Sequence, residues 1–356
     1  MTVSADFLWY IPNEAKAGHR GDKVEEGHNS LATLTRQARA LEDHGWTGAL
    51  IGAGWERPDS LTLATALAVQ TSRFEPLVAI RPGYWQPAHF ASAAATLDHL
   101  SGGRLRINIV SGQDNSAAYG DDTGVQADRY ARTLEFMRLV RRLWTEEGVD
   151  HDGAHYRLVR STVVPRIVQR EERRHPLLYF GGASDSAEHV AATEADVQLF
   201  WGEPRDDLAD RIDRLKRLSR DLDRDLPPLQ FGLRITTLVR DTSAEAWAEA
   251  EARIARMAAT KGAGWTGLSS QMATGQRRLV ELGARGDVLD DNLYTLPGRF
   301  GGGGAGTTWL VGSPEEVAAS LHHYSALGIT HFILSDTPYL SEIERQGRQL
   351  LPLLRG

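Results

Sequence analysis

Residues Arg106 to Asp114 read RINIVSGQD, an apolar run that stops abruptly at small and polar residues. The same punctuation recurs in LLYFGGASD (Leu177 to Asp185), VQLFWGEP (Val197 to Pro204) and THFILSD (Thr330 to Asp336). Each reads as a buried strand with a sharp end. A fold that ends many parallel strands on one face, and keeps its chemistry in the loops there, produces this pattern.

Outward from these runs, strands alternate with amphipathic helices. Phe7 to Ile11 is a short apolar strand, and Ser30 to His44 then places Leu31, Leu34, Ala38 and Leu41 at helical spacing. Thr47 to Gly52 is a second strand, Asp59 caps a helix running to Gln70, and Pro76 to Ile80 is a third strand, followed by a helix from Pro87 to Leu100. Gly102 and Gly103 end that helix. The fourth strand, Arg106 to Val110, leads through a polar loop to a helix over Arg129 to Trp144, and VDHDGAHYRL has the form of a β-hairpin turning at Asp152–Gly153. Strands at Leu177, Val197, Phe231 and Thr330 bring the total to eight, with helices over Asp206 to Ser219 and Ala244 to Ala259 and another starting at Ser313–Pro314. Eight β/α units in one chain predict an α/β protein, a (β/α)8 TIM barrel spanning 1–356 as a single domain.

The stretch from Thr260 to Gly306 breaks the alternation. It shows no clear strand and runs into GRFGGGGAGTT (Gly298 to Thr308), where four successive glycines make the backbone permissive. It reads as an insertion at about 260–306 carrying a glycine-rich mobile lid over the strand ends, with a flexible surface linker as the alternative.

Composition excludes several classes of function. The 356 residues are 41% apolar and 24% charged, which is ordinary for a chain that buries a large core. A net charge of −7, with Lys and Arg interspersed among acids, argues against nucleic acid as the partner. The expectation is a cytoplasmic protein without a membrane span or signal peptide, because no apolar run approaches ~18 residues and the first residues lack a charged leader region. With no cysteine, disulfides, thiolate nucleophiles and Cys-ligated metals drop out. The 12 histidines include no H-E-x-x-H spacing, so no metal site is expected. Chemistry must come from other side chains or from a cofactor.

Several blocks in order carry a resemblance: FLWYIP at the start, ATLDHLSGGRLRINIVSG (Ala95 to Gly112), DRYAR (Asp128 to Arg132), PLLYFGGASD, WGEP, FGLRITTLVRDT (Phe231 to Thr242), GGAGTTWLVGS (Gly303 to Ser313) and YSALGITHFILS (Tyr324 to Ser335). Over nearly its whole length the chain resembles the bacterial luciferase superfamily of flavin-dependent monooxygenases, and within it is most similar to the two-component alkanesulfonate monooxygenases. The resemblance independently implies the barrel. It also implies reduced FMN supplied by a separate NAD(P)H-dependent flavin reductase, reaction with O2 through a flavin C4a-peroxide, a small-molecule substrate, oxidative C–S cleavage to aldehyde and sulfite, and a homodimer or homotetramer. The flavin does the oxidising.

The motifs suit a flavin phosphate. Gly181 and Gly182 end a strand, and Ala183–Ser184 open a helix whose first amides can face a dianion, with the Ser184 hydroxyl in reserve. An ordinary helix cap is the alternative for Ser184. The resemblance places Tyr130 at the same phosphate, with a packing tyrosine as the alternative, and Ser111 near the flavin. Asn108 lies within a strand and needs a polar partner, either a flavin edge or a core neighbour. Trp201 ends a strand, where it walls the pocket or fills the core.

The substrate end departs from the relatives. In those enzymes an arginine is followed two residues later by histidine; here Arg234 is kept and Thr236 stands in the second place. The family's cysteine after the second strand is replaced by Arg57 or Pro58, its tyrosine after the last strand aligns with Thr337 near Tyr339, and its lid arginine aligns with Gly302, three residues beyond Arg299. Arg234, Thr236, Arg57 and Arg299 are therefore the candidate catalytic residues. A sulfonate would need such cations, Arg81 included. The roomier site equally suits a larger or neutral substrate of specialised metabolism. F420-dependent hydride transfer and non-catalytic flavin binding are the other readings.

Overall fold

The computed structural model describes residues 5–11, 27–55, 57–112, 116–121, 125–168, 174–261, 274–300 and 307–355. The first half runs β1 (Asp6–Ile11), α1 (Leu31–Asp43), β2 (Gly48–Ile51), α2 (Ser60–Ala68), β3 (Glu75–Ile80), α3 (Pro87–Leu100), β4 (Arg106–Ile109), α4 (Gln126–Thr145), β5 (Val149–Asp152) and β6 (Arg157–Ser161). The second half runs β7 (Leu178–Gly181), α5 (Asp185–Glu194), β8 (Val197–Trp201), α6 (Arg205–Asp221), β9 (Gln230–Val239), α7 (Ser243–Lys261), α8 (Thr274–Arg285), β10 (Val288–Leu289), β11 (Leu293–Tyr294), β12 (Trp309–Gly312), α9 (Pro314–Ala326), β13 (Ile329–Ser335), α10 (Tyr339–Gln349) and α11 (Leu351–Arg355).

Eight parallel strands close in the order β1, β2, β3, β4, β7, β8, β9, β13 and back to β1, with β8 pairing β9 and β13 pairing β1. Period-2 alternation sorts their side chains. On β1, Phe7, Trp9 and Ile11 join the core beneath the helices, whereas Leu8 and Tyr10 join Leu50, Leu77, Tyr179, Leu199 and Ile333 inside the barrel. Helix starts follow local chemistry. Ser30 and Asp59 accept backbone N–H bonds from Thr33 and Thr62, and Ser313 with Glu316 forms a capping box ahead of Pro314. The expected hairpin forms as β5 and β6, closed by the Gly153 N–H donating to the Tyr156 carbonyl.

One expectation is corrected. The segment from 260 to 306 contains strand structure: β10 pairs antiparallel with β11, which pairs with β12, and β12 joins β9 in parallel beyond the point where β8 stops. Trp309 and Val311 of β12 pack with Tyr294, Phe300, Met257 and Ala250 in a satellite core. Two-residue strands interrupted by polar turns carry too little periodicity to be seen in sequence. The glycine run at 301–306, named as the lid, lies outside the described residues.

The N-terminal end of the barrel is closed by a polar lattice. Arg106 donates to Asp6 Oδ2 and Glu75 Oε2, both at 2.6 Å, and to Tyr179 Oη at 2.7 Å. His331 Nδ1 lies 3.0 Å from Tyr179 Oη and its Nε2 lies 2.6 Å from Gln230 Oε1. Burial pushes the Tyr179 phenol up to about 12, so it keeps its proton. Burial also opposes ionisation of Asp6, but the hydrogen bond from His331 and the charge of Arg106 outweigh it and hold that carboxyl well below the usual range. Among the described residues no helix is long and apolar enough to cross a membrane.

Candidate active site

At the opposite, C-terminal end the strands open on a cavity of about 440 Å³. Barrels of this kind deliver their functional groups there, from several strand ends at once. Tyr10 comes from β1, Trp55 and Arg57 follow β2, Arg81 follows β3, Asn108 lies on β4, Gly181 and Gly182 end β7, Trp201 and Glu203 end β8, and Arg234 lies within β9. Thr274 and Gly275, the first residues of α8, complete the wall, and a Cβ on Gly275 would stand 3.6 Å from the Trp201 ring. The insertion thus reaches the cavity. Arg278 of α8 pairs with Glu203 at 2.9 Å and fixes that approach.

One side of the cavity is a cradle. A Cβ on Gly182 would stand 2.4 Å from the Ala187 Cβ, so only glycine lets α5 pack this close to the strand end. The same position is 3.7 Å from the Tyr130 phenol oxygen, whereas a Cβ on Gly181 would meet nothing closer than 3.8 Å. Tyr130 is buried on α4 with its ring edge-on to Phe180. Ser184 caps α5, accepting from the Ala187 N–H at 3.3 Å. Arg211 donates to the Gly182 carbonyl at 3.2 Å, to Glu188 at 3.3 Å and to Glu203. Burial pushes the Glu203 carboxyl up, against the pull of Arg211 and Arg278. Asn108 is 8% exposed, and its Oδ1 has no hydrogen-bond partner among the described residues. A buried carbonyl oxygen left so costs about 1–3 kcal/mol. The cradle therefore suits a phosphate, and Asn108 suits a ligand N–H, as a flavin would provide.

The other side is cationic. Arg57 Nη1 donates to Tyr10 Oη at 3.0 Å, and the Arg234 guanidinium carbon stands 4.6 Å over the Tyr10 ring. Arg81 donates to the Gly112 carbonyl at 2.5 Å. Among the described residues four arginines line the cavity, with one acid, Glu203, bonded to Arg211.

The structure brings together Arg57, Asn108, Tyr130, Gly181, Gly182, Trp201 and Arg234. It sets four other candidates apart from the lining. Ser184 is the cap. Ser111 is buried with its Oγ 2.5 Å from Thr133 Oγ1. Because Thr133 gives its proton to the Arg129 carbonyl, Ser111 donates in that pair and ties β4 to the helix bearing Tyr130. Thr236 shares a strand face with Arg234 but is fully buried, 3.1 Å from Thr307 Oγ1 and 3.4 Å from Ser335 Oγ. Arg299 is bound within the insertion to Asp287 and the Gly283 carbonyl. Thr337 is bonded by Arg253, which also pairs with Asp336 at 2.6 Å. Sequence reasoning missed Tyr10, Trp55, Glu203 and Arg211. Inward alternation along β1 was the available signal for Tyr10, and the acid between two strand-end breakers in WGEP was the signal for Glu203.

A closed (β/α)8 barrel with one polar, cofactor-sized cavity at its C-terminal mouth defines a class of enzyme. Residues 5–331 match the family model "Luciferase-like monooxygenase", and the chain belongs to that family. Solved structures with the same fold include EDTA monooxygenase (EmoA) from Chelativorans sp. BNC1, at 15% identity and a TM-score of 0.78, covering 99% of this chain and 93% of that one. DmoA from Hyphomicrobium sulfonivorans is 19% identical with a TM-score of 0.77, covering 99% and 88%. An F420-dependent secondary alcohol dehydrogenase in complex with an F420-acetone adduct is 16% identical with a TM-score of 0.71, covering 99% and 100%.

Proposed function

We propose that this protein is a monooxygenase that takes reduced FMN from a separate flavin reductase and uses O2 to oxygenate a small organic molecule. The observation that carries the reading is the pairing, in one cavity, of the start of α5 beside Gly182 and Tyr130 with a cationic wall at Arg57, Tyr10 and Arg234. Bound reduced flavin supplies two electrons to O2, so that one oxygen atom enters the substrate and the other leaves as water.

The chain's own residues bind, orient and exclude water. The α5 amides and the Tyr130 phenol would hold the phosphate, while Arg211 places positive charge behind the Gly182 carbonyl and neutralises Glu188 in the first turn. Asn108 Oδ1 would accept from a ring N–H of the flavin. Trp201 and the start of α8 wall the cavity from water on the β8 side. Arg234 and Arg57 orient the substrate and stabilise negative charge beside Tyr10. An organosulfonate, cleaved at its C–S bond to an aldehyde and sulfite, fits this wall. A larger substrate oxygenated elsewhere is the second fit, supported by Thr236 being buried away from the cavity and by Arg299 lying outside its lining.

The test is stopped-flow mixing of protein and FMNH2 with oxygenated buffer, alone and with C1 to C10 alkanesulfonates, while flavin absorbance, O2 uptake and sulfite are followed. Sulfite release coupled to O2 uptake supports desulfonation. Protein-controlled flavin oxidation without sulfite keeps the oxygenase reading and moves the substrate. Flavin oxidation identical with and without protein, together with binding of reduced F420, sinks it in favour of hydride transfer.

A further inference from the structure

Three loops after neighbouring barrel strands each contribute one aromatic ring to a single cluster, and Trp55 of that cluster lines the cavity. Trp55 follows β2, Tyr84 follows β3 and Tyr119 follows β4. The Trp55 and Tyr119 rings meet edge to face at 5.0 Å and 82°, and Tyr84 and Tyr119 lie 4.4 Å apart at 38°. Such contacts hold rings in place. Yet Trp55 is 40% and Tyr119 46% exposed, so the cluster lies outside the core. Clustered aromatic surface beside a cavity forgoes burial that a ligand can restore.

The cluster continues the cationic side of the cavity. Trp55 lies two residues before Arg57, and both line it. Arg57 bonds to Tyr10, and Arg234 covers the Tyr10 ring. The phosphate cradle begins at the end of β7, three positions round the barrel from β2 and next to β4, whose loop carries Tyr119. Trp55 and the phosphate cradle are thus separate parts of one mouth.

We infer that the substrate is an organic anion bearing a planar aromatic ring, its anionic group on Arg57 and Arg234 across Tyr10 and its ring against Trp55 and Tyr119. The inference rests on the monooxygenase reading and deepens it, since it names the class of molecule that reading leaves open. Trp55 and Tyr119 are specificity residues in this scheme. Guanidinium groups select the head by charge, and the rings select the body by stacking.

Calorimetric titration of the full chain saturated with FMN tests it. The probes are naphthalene-2-sulfonate and octane-1-sulfonate, which share a head and differ in the body. The native chain should bind the naphthalene compound about tenfold more tightly, and Trp55→Leu or Tyr119→Leu should cut that advantage about three- to tenfold while octane-1-sulfonate and FMN binding stay unchanged. Arg57→Met should weaken both sulfonates alike. Both leucine replacements are at exposed positions, so the variants should melt with the native chain. Equal affinity of the native chain for both probes overturns the inference. So does Trp55→Leu weakening FMN as much as naphthalene-2-sulfonate, which would make the cluster part of the flavin site. O2 uptake with FMNH2 is measured on the same samples: ring selectivity without it defeats the oxygenase reading and leaves the ring site standing.

Discussion

The two ends of this barrel use arginine in opposite ways. At the N-terminal end Arg106 is spent on neighbours: two carboxylates and a phenol, with His331 and Gln230 completing the lattice. At the C-terminal end Arg57, Arg81 and Arg234 line a cavity where, among the described residues, the one acid is Glu203, which is taken up by Arg211 and Arg278. A closed lattice converts charge into a plug. An excess of one sign around a cavity makes a field that attracts a ligand of the other sign. Both ends are built from strand termini, so the difference lies in where acids were placed beside the arginines.

The largest effect should come from breaking the plug. Arg106→Leu strands Asp6 and Glu75 without their cation and should cost about 3 kcal/mol of unfolding free energy, the low end for such losses because both carboxylates stay nearly a third exposed. Chemical denaturation measures this, and FMN affinity of the folded fraction should not change. If the affinity collapses too, the two ends are coupled and the comparison fails. Asp6→Asn probes the same lattice through pH. The folded-state pKa of Asp6 is depressed, so its stabilisation is present above the unfolded value near ~4 and is lost as pH falls through the folded value. The native chain should therefore lose stability on acidification below about pH 4 more steeply than the Asn variant. Parallel stability curves would remove Asp6 from the account.

At the open end the expected signature is functional. Arg234→Ala should lower turnover about 10- to 100-fold, with FMN affinity within about twofold and the melting temperature little altered. Steady-state O2 uptake and flavin titration separate these quantities. A loss confined to stability would turn Arg234 into another plug residue.

How much of this was legible follows from the same physics. The eight barrel strands were readable because apolar runs such as Phe7 to Ile11 and Ile329 to Ser335 end at abrupt polar breaks, and the helices because Ser30, Asp59 and Ser313 advertise their starts. β12 was not, since WLVG follows a glycine run and earns its place by pairing with β9. In the cavity Gly182, Tyr130 and Arg234 were legible through motif context. Tyr10 was not, because its part depends on Arg57 and Arg234 converging from two other strands. Thr236 and Arg299 were drawn into the site by their place in the chain; their hydrogen-bond partners, set by tertiary packing, keep them out of its lining.

The smallest effects give the sharpest division within the open end. Ser184 and Tyr130 flank the same strand end, but Ser184 spends its oxygen on the Ala187 N–H while the Tyr130 phenol borders the cavity beside Gly182. Ser184→Ala should lose a helix cap, about 1 kcal/mol of stability, and weaken FMN only as far as α5 frays. Tyr130→Phe should leave stability in place and weaken FMN about tenfold, the low end for the loss of one hydrogen bond to a charged group. Thermal melts beside equilibrium flavin titrations read both quantities from one preparation. If Ser184→Ala weakens FMN as strongly as Tyr130→Phe with an unchanged melt, the serine hydroxyl faces the phosphate when flavin binds. Its cap would then be a resting arrangement that the ligand replaces.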